Sequence, residues 1–546
     1  MRTILLHASL LALPLSLACS ADWKNKGDDP NGQDGTTGDG GGLTDGGLTD
    51  GGADGGADGG ADGGADGGAD GGTDGSGTDD DGDGFSEDEG DCDDGDAGIF
   101  PDAEEICNDG VDDDCDGVSD ADWDTDGDGV GDCVDFCPVQ VDIDALTGGD
   151  GTFAHPVDSV QAGIEIAGAT GCLQVQVHPG VYYETIDFGG VDADVYSSGG
   201  REVTTIDGDG VGPVVTIASG EGSGAILRGF TITGGVASRG AGIYVNGSDP
   251  TLDHLFIHGN AATAGDNLGG GVYLYDSAGA LTDSIIQDND AGVGGDDDGN
   301  DGGGLAILYG SPLIQFNWFL DNTAGDGGGI WVAHGSATIL NNLLDGNRAQ
   351  DTGRTDDSGY LVGGQGGGVD FQTDTADVTF ANNLVTNNTA STHGGGVAII
   401  GFYAEDDVAE PTVSHNVVAW NAVDSGSYGG GLVVWGWSAP TLFNNVVWAN
   451  DGVGVYMQFD YSDWTYNDVA GNGTAYAGAM SDPTGSDGNL ALSPGFAATS
   501  DDGDGTNDDF GLRGTSGLID VGDPAVLDVD GTRSDMGAYG GEYGGW

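Results

Sequence analysis

The chain has 546 residues, 112 of them glycine, and its 94 aspartate and glutamate residues far outnumber its 10 lysine and arginine residues, giving a formal net charge of -84 at pH 7. Because no basic patch exists anywhere in the sequence, the charge excludes nucleic acid binding. Mutual repulsion of the carboxylates favours hard divalent cations, which prefer oxygen ligands, as partners. The alternative interpretation is that the acidity serves only solubility.

Residues 1–18 are predicted to be an export signal. Arg2 precedes an apolar run from Ile4 to Ala18 that is too short to span a bilayer and is typical of a secretory signal peptide. The run ends Leu15-Ser16-Leu17-Ala18-Cys19, which resembles a bacterial lipobox. That resemblance implies lipidation of Cys19, whereas the alternative is ordinary cleavage after Ala18 or Ala21. We therefore expect an exported protein, either a lipoprotein of the outer membrane or cell surface or an extracellular protein, that contacts a membrane only through an N-terminal lipid.

Residues 19–78 are predicted to be a disordered tether. The segment is rich in glycine and aspartate and repeats Gly-Gly-Ala-Asp between Gly51 and Asp70. Such a composition cannot form an apolar core, and its like charges repel one another. The segment lacks the residue order of calcium-binding nonapeptide repeats, so we interpret it as a spacer.

Residues 79–140, called the acidic module here, contain two candidate calcium loops. The second loop has carboxylates at positions 1, 3, 5, 9 and 12, a glycine at position 6 and a backbone carbonyl at position 7, a spacing that lets one loop wrap a Ca²⁺ ion. Its candidate ligands are Asp124, Asp126, Asp128, the carbonyl of Val130, Asp132 and Asp135. The loop resembles a thrombospondin type 3 calcium repeat, except that Cys133 and Cys137 are four residues apart rather than three.

The first loop of the acidic module begins with Asp79, Asp81 and Asp83. Its position 12 is Gly90, so Glu87, Glu89 or Asp91 would have to close it. The segment from Gly90 to Gly117 resembles a metal-binding motif family of secreted bacterial proteins that is named after a copper-binding surface protein. The candidate ligands within that segment are Asp91, Asp93, Asp112, Asp114 and Asp116. No histidine lies between residues 79 and 135, and oxygen-only sites suit calcium better than copper, so Ca²⁺ is the predicted cofactor and copper the alternative.

Six cysteines follow Cys19, and in an exported chain an even set indicates disulfides. The candidates are Cys92, Cys107, Cys115, Cys133, Cys137 and Cys172. The fifteen connectivities that six cysteines allow remain open at this point. A zinc site is the alternative use of these thiols.

A unit that recurs from about residue 225 to residue 455 predicts the fold. The unit has a glycine triplet, apolar residues at every second position, a turn, and a segment that ends in asparagine, and successive closing asparagines lie 25 to 41 residues apart. Period two indicates strands, and short strands in repeats of this length can be parallel only if the chain coils and returns about 4.8 Å further along. The sequence therefore predicts an all-β solenoid, a parallel β-helix of roughly ten coils over residues 150–546.

Three further features support this interpretation. Amides at equivalent places in successive coils can hydrogen-bond as a ladder, and the candidates are Asn317, Asn342, Asn383, Asn416 and Asn445. The helical spacing between Val157 and Ala167, after Asp158 or Ser159 as N-cap, predicts a helix that closes the first coil. The repeats resemble the right-handed parallel β-helix, or pectin-lyase-like, superfamily. We expect Arg533 and its flanking aspartates to clasp the closing segment.

The strand alternation also predicts an outward-facing stripe on one sheet. If Val272 and Ile330 point inward, then aromatic side chains and Asp370 point outward, with His334 near the edge; the candidate sugar-stacking residues are Tyr273, Tyr275, Trp331 and Trp435. The alternative is that loops cover this stripe. Resemblance to the superfamily implies polysaccharide lyase, hydrolase or esterase chemistry, but no lysine follows Lys26 to serve as a base. We therefore favour a calcium-binding protein with a binding or structural role at the envelope, with polysaccharide as a candidate partner, and keep a carbohydrate-active enzyme as the alternative.

Overall fold

A computed structural model describes most of the chain from residue 81 onward. The described residues are 81–86, 89–93, 95–101, 103, 111–112, 115, 137–263, 265–292, 299–350, 363–372, 375, 377–401, 408–424, 428–459 and 461–544. Several predictions fall outside them: the export signal with Cys19, the tether, Asp79, Asp114, Asp116, Cys107, Cys133 and the calcium loop of Asp124, Asp126, Asp128, Val130, Asp132 and Asp135. No helix among the described residues is long and apolar enough to cross a membrane.

The chain coils through three long parallel sheets, named A, B and C here, of 12, 11 and 11 strands. The strands of sheet A are Val139–Val141, Gln174–Val177, Asp194–Ser197, Ile226–Arg228, Thr251–Asp253, Ala280–Thr282, Leu313–Gln315, Thr338–Leu340, Thr379–Ala381, Thr412–Ser414, Thr441–Phe443 and Asp463–Thr465. The strands of sheet B are Gly180–Tyr183, Thr204–Asp207, Thr231–Thr233, Phe256–His258, Ile285–Gln287, Trp318–Leu320, Leu343–Asp345, Leu384–Thr386, Val417–Ala419, Val446–Trp448 and Asp468–Ala470. The strands of sheet C are Ile186–Asp187, Val215–Ile217, Ile243–Asn246, Val272–Tyr275, Leu305–Leu308, Ile330–Ala333, Val369–Gln372, Val397–Gly401, Leu432–Gly436, Val453–Met457 and Thr474–Gly478.

Shorter elements complete the described part of the chain. The parallel two-residue strands are Val236–Ala237, Ala261–Ala262, Thr323–Ala324, Arg348–Ala349, Thr389–Ala390 and Ala422–Val423. An α-helix spans Val160–Thr170, a 3-10 helix spans Gly505–Asn507, and an antiparallel pair joins Phe496–Ala498 to Asp509–Leu512. The solenoid begins at Val139, before the boundary at residue 150 that the repeats predicted, because one short Val-Gln-Val strand carries too little periodicity to be recognised.

The core lies inside the solenoid and is built from the alternating apolar positions. In sheet C, Val272, Leu305, Ile330 and Val369 align in register on successive coils, and all four side chains are fully buried. Equivalent rows of sheets A and B complete one continuous apolar cluster. The predicted period-two strands and their inward residues are confirmed.

Two asparagine ladders run up the solenoid. In one ladder Asn317, Asn342, Asn383, Asn416 and Asn445 each donate an amide N–H to the Oδ1 of the asparagine on the next coil, at 2.9–3.1 Å. A second ladder joins the asparagines that close each unit: Asn260, Asn289, Asn322, Asn347, Asn388, Asn421, Asn450 and Asn472. The predicted ladder is confirmed, and the buried amides satisfy one another where no water reaches them.

The α-helix closes the first coil as predicted. Ser159, rather than Asp158, is the N-cap, and its Oγ accepts a hydrogen bond from the backbone N–H of Ala162. The carboxylate of Glu184 accepts two more N–H groups of the first turn. The helix buries Val160, Ile164 and Ala167 against the first coil, so its apolar face covers an end of the core that would otherwise meet water.

The segment 496–544 folds back onto the outer face of sheet B. Its Phe496, Phe510, Leu518, Met536 and Ala538 pack on the outward rows of that sheet in a second apolar cluster. Asn382, at the corner between sheets A and B, has a φ of 57° and donates to the carbonyl of Ala538 at 2.9 Å. Asparagine tolerates this left-handed conformation better than most residues.

Arg533 holds the closing segment through main-chain carbonyls. Its guanidinium donates to the carbonyls of Gly522 and Val521 at 2.6 and 2.9 Å and lies over the ring of Tyr466. The predicted clasp therefore uses carbonyl oxygens, and the neighbouring Asp528 instead accepts backbone N–H groups from Asp535 and Gly541.

Candidate functional site

Three carboxylates of the acidic module converge on one point. One oxygen each from Asp81, Asp83 and Asp91 lies within 4.8 Å of the other two. Asp81 and Asp83 are half-buried, and Asp91 is only 6% exposed. The first loop of the module therefore brings together three of the residues that its sequence proposed as metal ligands.

Short turns fix how these side chains point. The Oδ1 atoms of Asp81, Asp83 and Asp91 accept the backbone N–H groups two residues ahead, at 3.2, 2.9 and 2.9 Å. The Oδ2 atoms of Asp83 and Asp91 are buried and have no hydrogen-bond partner. One oxygen of each of these two carboxylates is thus used to hold the side chain, and the other remains available to a ligand.

Of the two described alternatives, Asp91 rather than Glu89 joins the cluster with Asp81 and Asp83. The backbone N–H groups of Glu89 and Asp91 both donate to the carbonyl of Ser86, so the chain turns back at this point. The carboxylate of Glu89 is exposed and accepts the Ser86 hydroxyl at 3.0 Å, whereas Asp91 reaches the cluster. Glu87 lies outside the described residues.

A small frame supports the loop. The rings of Phe85 and Phe100 stack at 5.6 Å, and Ile99 is 9% exposed. A disulfide joins Cys92, next to Asp91, to Cys115, and a second joins Cys137 to Cys172. Both fit the prediction that the cysteines pair, and two of the pairings that the sequence left open are now assigned.

The donor set fits a hard cation. Two buried carboxylate oxygens without a partner are costly, because a desolvated charge needs a counter-charge or a hydrogen bond. Three carboxylates so close together also repel one another, and a divalent cation would relieve both penalties. Of the other described candidates, Asp93 is exposed and Asp112 half-buried, and neither belongs to the three-carboxylate cluster.

The predicted stripe on sheet C exists, but its two rows of side chains differ in exposure. Tyr273, Trp331 and Asp370 occupy one outward row in register, and Tyr275 and Trp435 belong to the row two residues further along the strands. Tyr273 is fully buried and Trp331 is 7% exposed, so neither ring presents an open face to solvent. Tyr275 and Trp435 are half-buried.

Asp370 is a buried carboxyl group within this row. It is fully buried, its Oδ2 accepts the Gln372 amide at 2.7 Å, and its Oδ1 has no hydrogen-bond partner. Burial, followed by the nearby charge of Asp326, raises its pKa well above the usual aspartate range. The side chain therefore favours the neutral, proton-donating form.

The two histidines near this row are not paired with Asp370. His334 follows the adjacent strand and lies three residues further along the strand direction, about 10 Å away by strand geometry. His393 is 7% exposed, neither of its ring nitrogens has a hydrogen-bond partner, and burial lowers its pKa to about 4. The structure thus gives a buried acid, Asp370, and a neutral imidazole, His393, with no hydrogen bond between them.

Sequence reasoning missed a cluster of aromatic side chains around the end of sheet C. Trp435 was a candidate, and the structure adds Tyr428 and Tyr456, whose ring centroids lie 5.6 and 5.9 Å from it. Trp437 and Tyr461 form a further nearly parallel pair at 6.2 Å. Tyr428, Trp437 and Tyr461 lie outside the strands, where strand periodicity does not predict side-chain direction, whereas Tyr456 lies in the strand Val453–Met457 and its outward direction follows from the alternation with Val455 and Met457.

Comparisons with known proteins agree with this architecture. Residues 204–404 match the family model described as "Right handed beta helix region", and residues 91–121 match the model described as "Putative metal-binding motif", whose short name refers to copper. No curated protein shows significant similarity to the sequence.

Two solved structures resemble the chain. Pectate lyase Pel9A has 17% sequence identity and a TM-score of 0.42, and the match covers 73% of this chain and 96% of the lyase. The A-module of mannuronan C-5 epimerase AlgE6 from Azotobacter vinelandii has 13% identity and a TM-score of 0.32, and the match covers 65% of this chain and all of the module. The strand pairing and the family match identify the chain as a right-handed parallel β-helix that carries a metal-binding motif.

Proposed function

We propose that this chain is an exported protein whose acidic module binds Ca²⁺ and whose β-helix is displayed at the cell envelope for binding or structural purposes. The observation that carries the proposal is the carboxylate of Asp91, which is 6% exposed, belongs to a cluster of three carboxylates and has one buried oxygen without a hydrogen-bond partner. In a soluble chain such an oxygen is explained best by a bound cation.

Calcium is favoured over copper by ligand chemistry. The converging groups are all carboxylates, and oxygen-only sites suit calcium, magnesium or manganese, whereas copper prefers imidazole or thiolate ligands. Calcium takes six to eight oxygen ligands in flexible geometry, so main-chain carbonyls and water would complete the shell. The mixed spacing of Asp81, Asp83 and Asp91 suits this tolerance better than the strict octahedron of magnesium.

Cation binding would also stabilise the fold of the module. Its described apolar contacts are few, chiefly the Phe85–Phe100 stack, and its carboxylates repel one another. Small domains with little core depend on disulfides and metals for stability. A ligand that binds only the folded module adds stability in proportion to the logarithm of its concentration over Kd.

Calorimetric titration of the disulfide-bonded chain with CaCl₂ tests the calcium site. Asp91→Asn should remove one binding event, because the amide loses the charge at the centre of the cluster. The matched control is Asp96→Asn, since Asp96 is exposed, makes the same kind of turn contact to Gly98 and lies outside the cluster. Unchanged stoichiometry and affinity in Asp91→Asn would contradict the assignment, and tighter binding of copper than calcium would replace the proposed ion.

The export part of the proposal has its own test. Cells expressing the full chain should place it in the membrane fraction with a labelled acyl chain, and Cys19→Ala should release it. Retention of the unprocessed chain in the cytoplasm would contradict export. Release of wild-type protein without acylation would favour ordinary cleavage after Ala18 or Ala21.

A second candidate function is a carbohydrate-active enzyme, and the observation that favours it is Asp370. A carboxyl group whose pKa is raised by burial can serve as a general acid. Its full burial places this candidate second. The test is turnover of polyuronates and neutral glucans by the purified chain: Asp370→Asn should abolish any activity, and Asp377→Asn, which changes an exposed carboxylate, should not. Absence of turnover on every substrate would contradict this candidate.

A further inference from the structure

A patch of aromatic side chains lies around the C-terminal end of sheet C. We define the aromatic patch as Tyr428, Trp435, Tyr456, Trp437 and Tyr461. Tyr428, Trp437 and Tyr461 are 42%, 42% and 56% exposed, and Phe459, beside Tyr461, is 39% exposed. Large rings rarely remain this accessible together unless a partner covers them.

The rings are held in fixed orientations by one another and by the sheet. Tyr456 aligns with the outward-facing Val433 on the neighbouring strand, and its ring lies 4.5 Å from that of Tyr428 and 5.9 Å from that of Trp435. Trp437 and Tyr461 are within 11° of parallel. Side chains ordered in advance lose little entropy when a ligand binds, so the patch is suited to stacking against flat, apolar ligand faces.

Charge decides which ligands the patch fits. Residues 428–512 contain no lysine, arginine or histidine, whereas the exposed carboxylates of Asp451 and Asp463 lie close to the patch in sequence. An anionic polymer would be repelled by these groups and by the net charge of -84. A neutral sugar avoids this repulsion, stacks its C–H face on the rings and donates its hydroxyls to carboxylate oxygens.

We propose that the aromatic patch binds an uncharged glycan by ring stacking. The proposal deepens the binding role suggested above for the β-helix, since it names the class of ligand, and it does not involve the acidic module. Trp437 and Tyr461 provide the main stacking surface, and Tyr428, Trp435 and Tyr456 form a second group of mutually packed rings.

The test is titration of the full chain with cellohexaose and maltohexaose, with binding measured by tryptophan fluorescence and by calorimetry. Trp437→Ala and Tyr461→Ala should each weaken binding of the neutral oligosaccharide by about ten-fold or more, as expected for a central aromatic contact. The matched control is Trp318→Ala, because Trp318 is 40% exposed but lies on the outer face of sheet B. That variant should bind as the wild type does.

Three outcomes would overturn the proposal. They are absence of binding to both neutral oligosaccharides, tighter binding of oligogalacturonate or chitosan oligomers than of neutral ones, and an equal loss of affinity in Trp318→Ala. Addition of EDTA should leave neutral-glycan binding unchanged. If the chain binds a neutral glycan but not calcium, the result counts against the calcium site alone. If it binds calcium but neither neutral oligosaccharide, the result counts against the aromatic patch alone.

Discussion

Replacement of Asn383 by alanine should destabilise the solenoid strongly. The side chain is fully buried; its amide donates to Asn416 Oδ1 and to the carbonyls of Ile339 and Ala381 at 3.0–3.1 Å, and its Oδ1 accepts both the main-chain and side-chain N–H of Asn342 at 2.9 and 3.0 Å. Each buried hydrogen bond contributes about 1 kcal/mol net, and each partner left unsatisfied costs more. The amide of Asn383 shares its two protons among three acceptors, so the total is smaller than a sum over separate hydrogen bonds. We therefore expect the free energy of unfolding to fall by about 3 to 5 kcal/mol.

Urea unfolding, combined with hydrogen exchange, checks this prediction. Each coil contacts mainly its neighbours, so the amides of the coils next to Asn383 should lose protection first and those of the first coils should retain it longer. Asn507→Ala is the control, because Asn507 is exposed on the 3-10 helix. A loss below about 1 kcal/mol in Asn383→Ala, or one equal to that of the control, would refute the view that the ladder stabilises the coil interfaces.

Three further predictions concern other parts of the molecule. Burial raises the pKa of Asp468 to about 7, so the protonated side chain stabilises the fold fully below the ordinary aspartate pKa, and this stabilisation is lost as the pH rises through 7. The melting temperature should therefore fall over that pH interval, and the fall should be smaller in Asp468→Asn. Gly396→Ala would place a Cβ 2.8 Å from the carbonyl oxygen of Gly431 and should cost about 2 kcal/mol in urea unfolding, whereas Gly514→Ala, with no atom within 4 Å, should be nearly neutral. EDTA should lower the melting temperature of the wild type more than that of Asp91→Asn.

The sequence predicted the solenoid because its constraints repeat. A buried inward row forces an apolar residue at every second position, and a stacked corner forces asparagine at the same place in each coil, so one error of register would contradict several units at once. The ladder residues Asn317 and Asn342 could therefore be assigned before any contact was known. The sequence predicted Asp158 or Ser159 as the N-cap but did not choose between them. Aspartate and serine have similar capping free energies, so tertiary contacts decide which of the two caps the helix.

The parts that the sequence left open depend on contacts between distant or irregular segments. The spacing did not distinguish Glu89 from Asp91 as the residue that closes the first loop, and the turn at Ser86 brings Asp91 into the cluster. The packing of residues 496–544 onto sheet B could not be predicted either. An outward apolar residue such as Val417 gives the same sequence pattern whether solvent or another segment of the chain covers it. For the same reason the burial of Tyr273 and the exposure of Trp437 were not distinguishable from the pattern alone.

The outer faces of the solenoid differ in a way that separates stability from recognition. Sheet B turns Val417 and Val446 outward, and the closing segment of the chain buries them completely, whereas Trp318, on an earlier strand of the same face, remains 40% exposed. Beside the strands of sheet C, by contrast, the rings of Tyr428, Trp437 and Tyr461 are about half exposed. Both faces are made by the same coils, whose inner rows and ladders fix the backbone without regard to what the outward residues are. Outward positions can therefore carry different side chains at little cost to the stability of the fold. For this reason we propose the binding role for the surface of sheet C and for the acidic module rather than for the repeat itself.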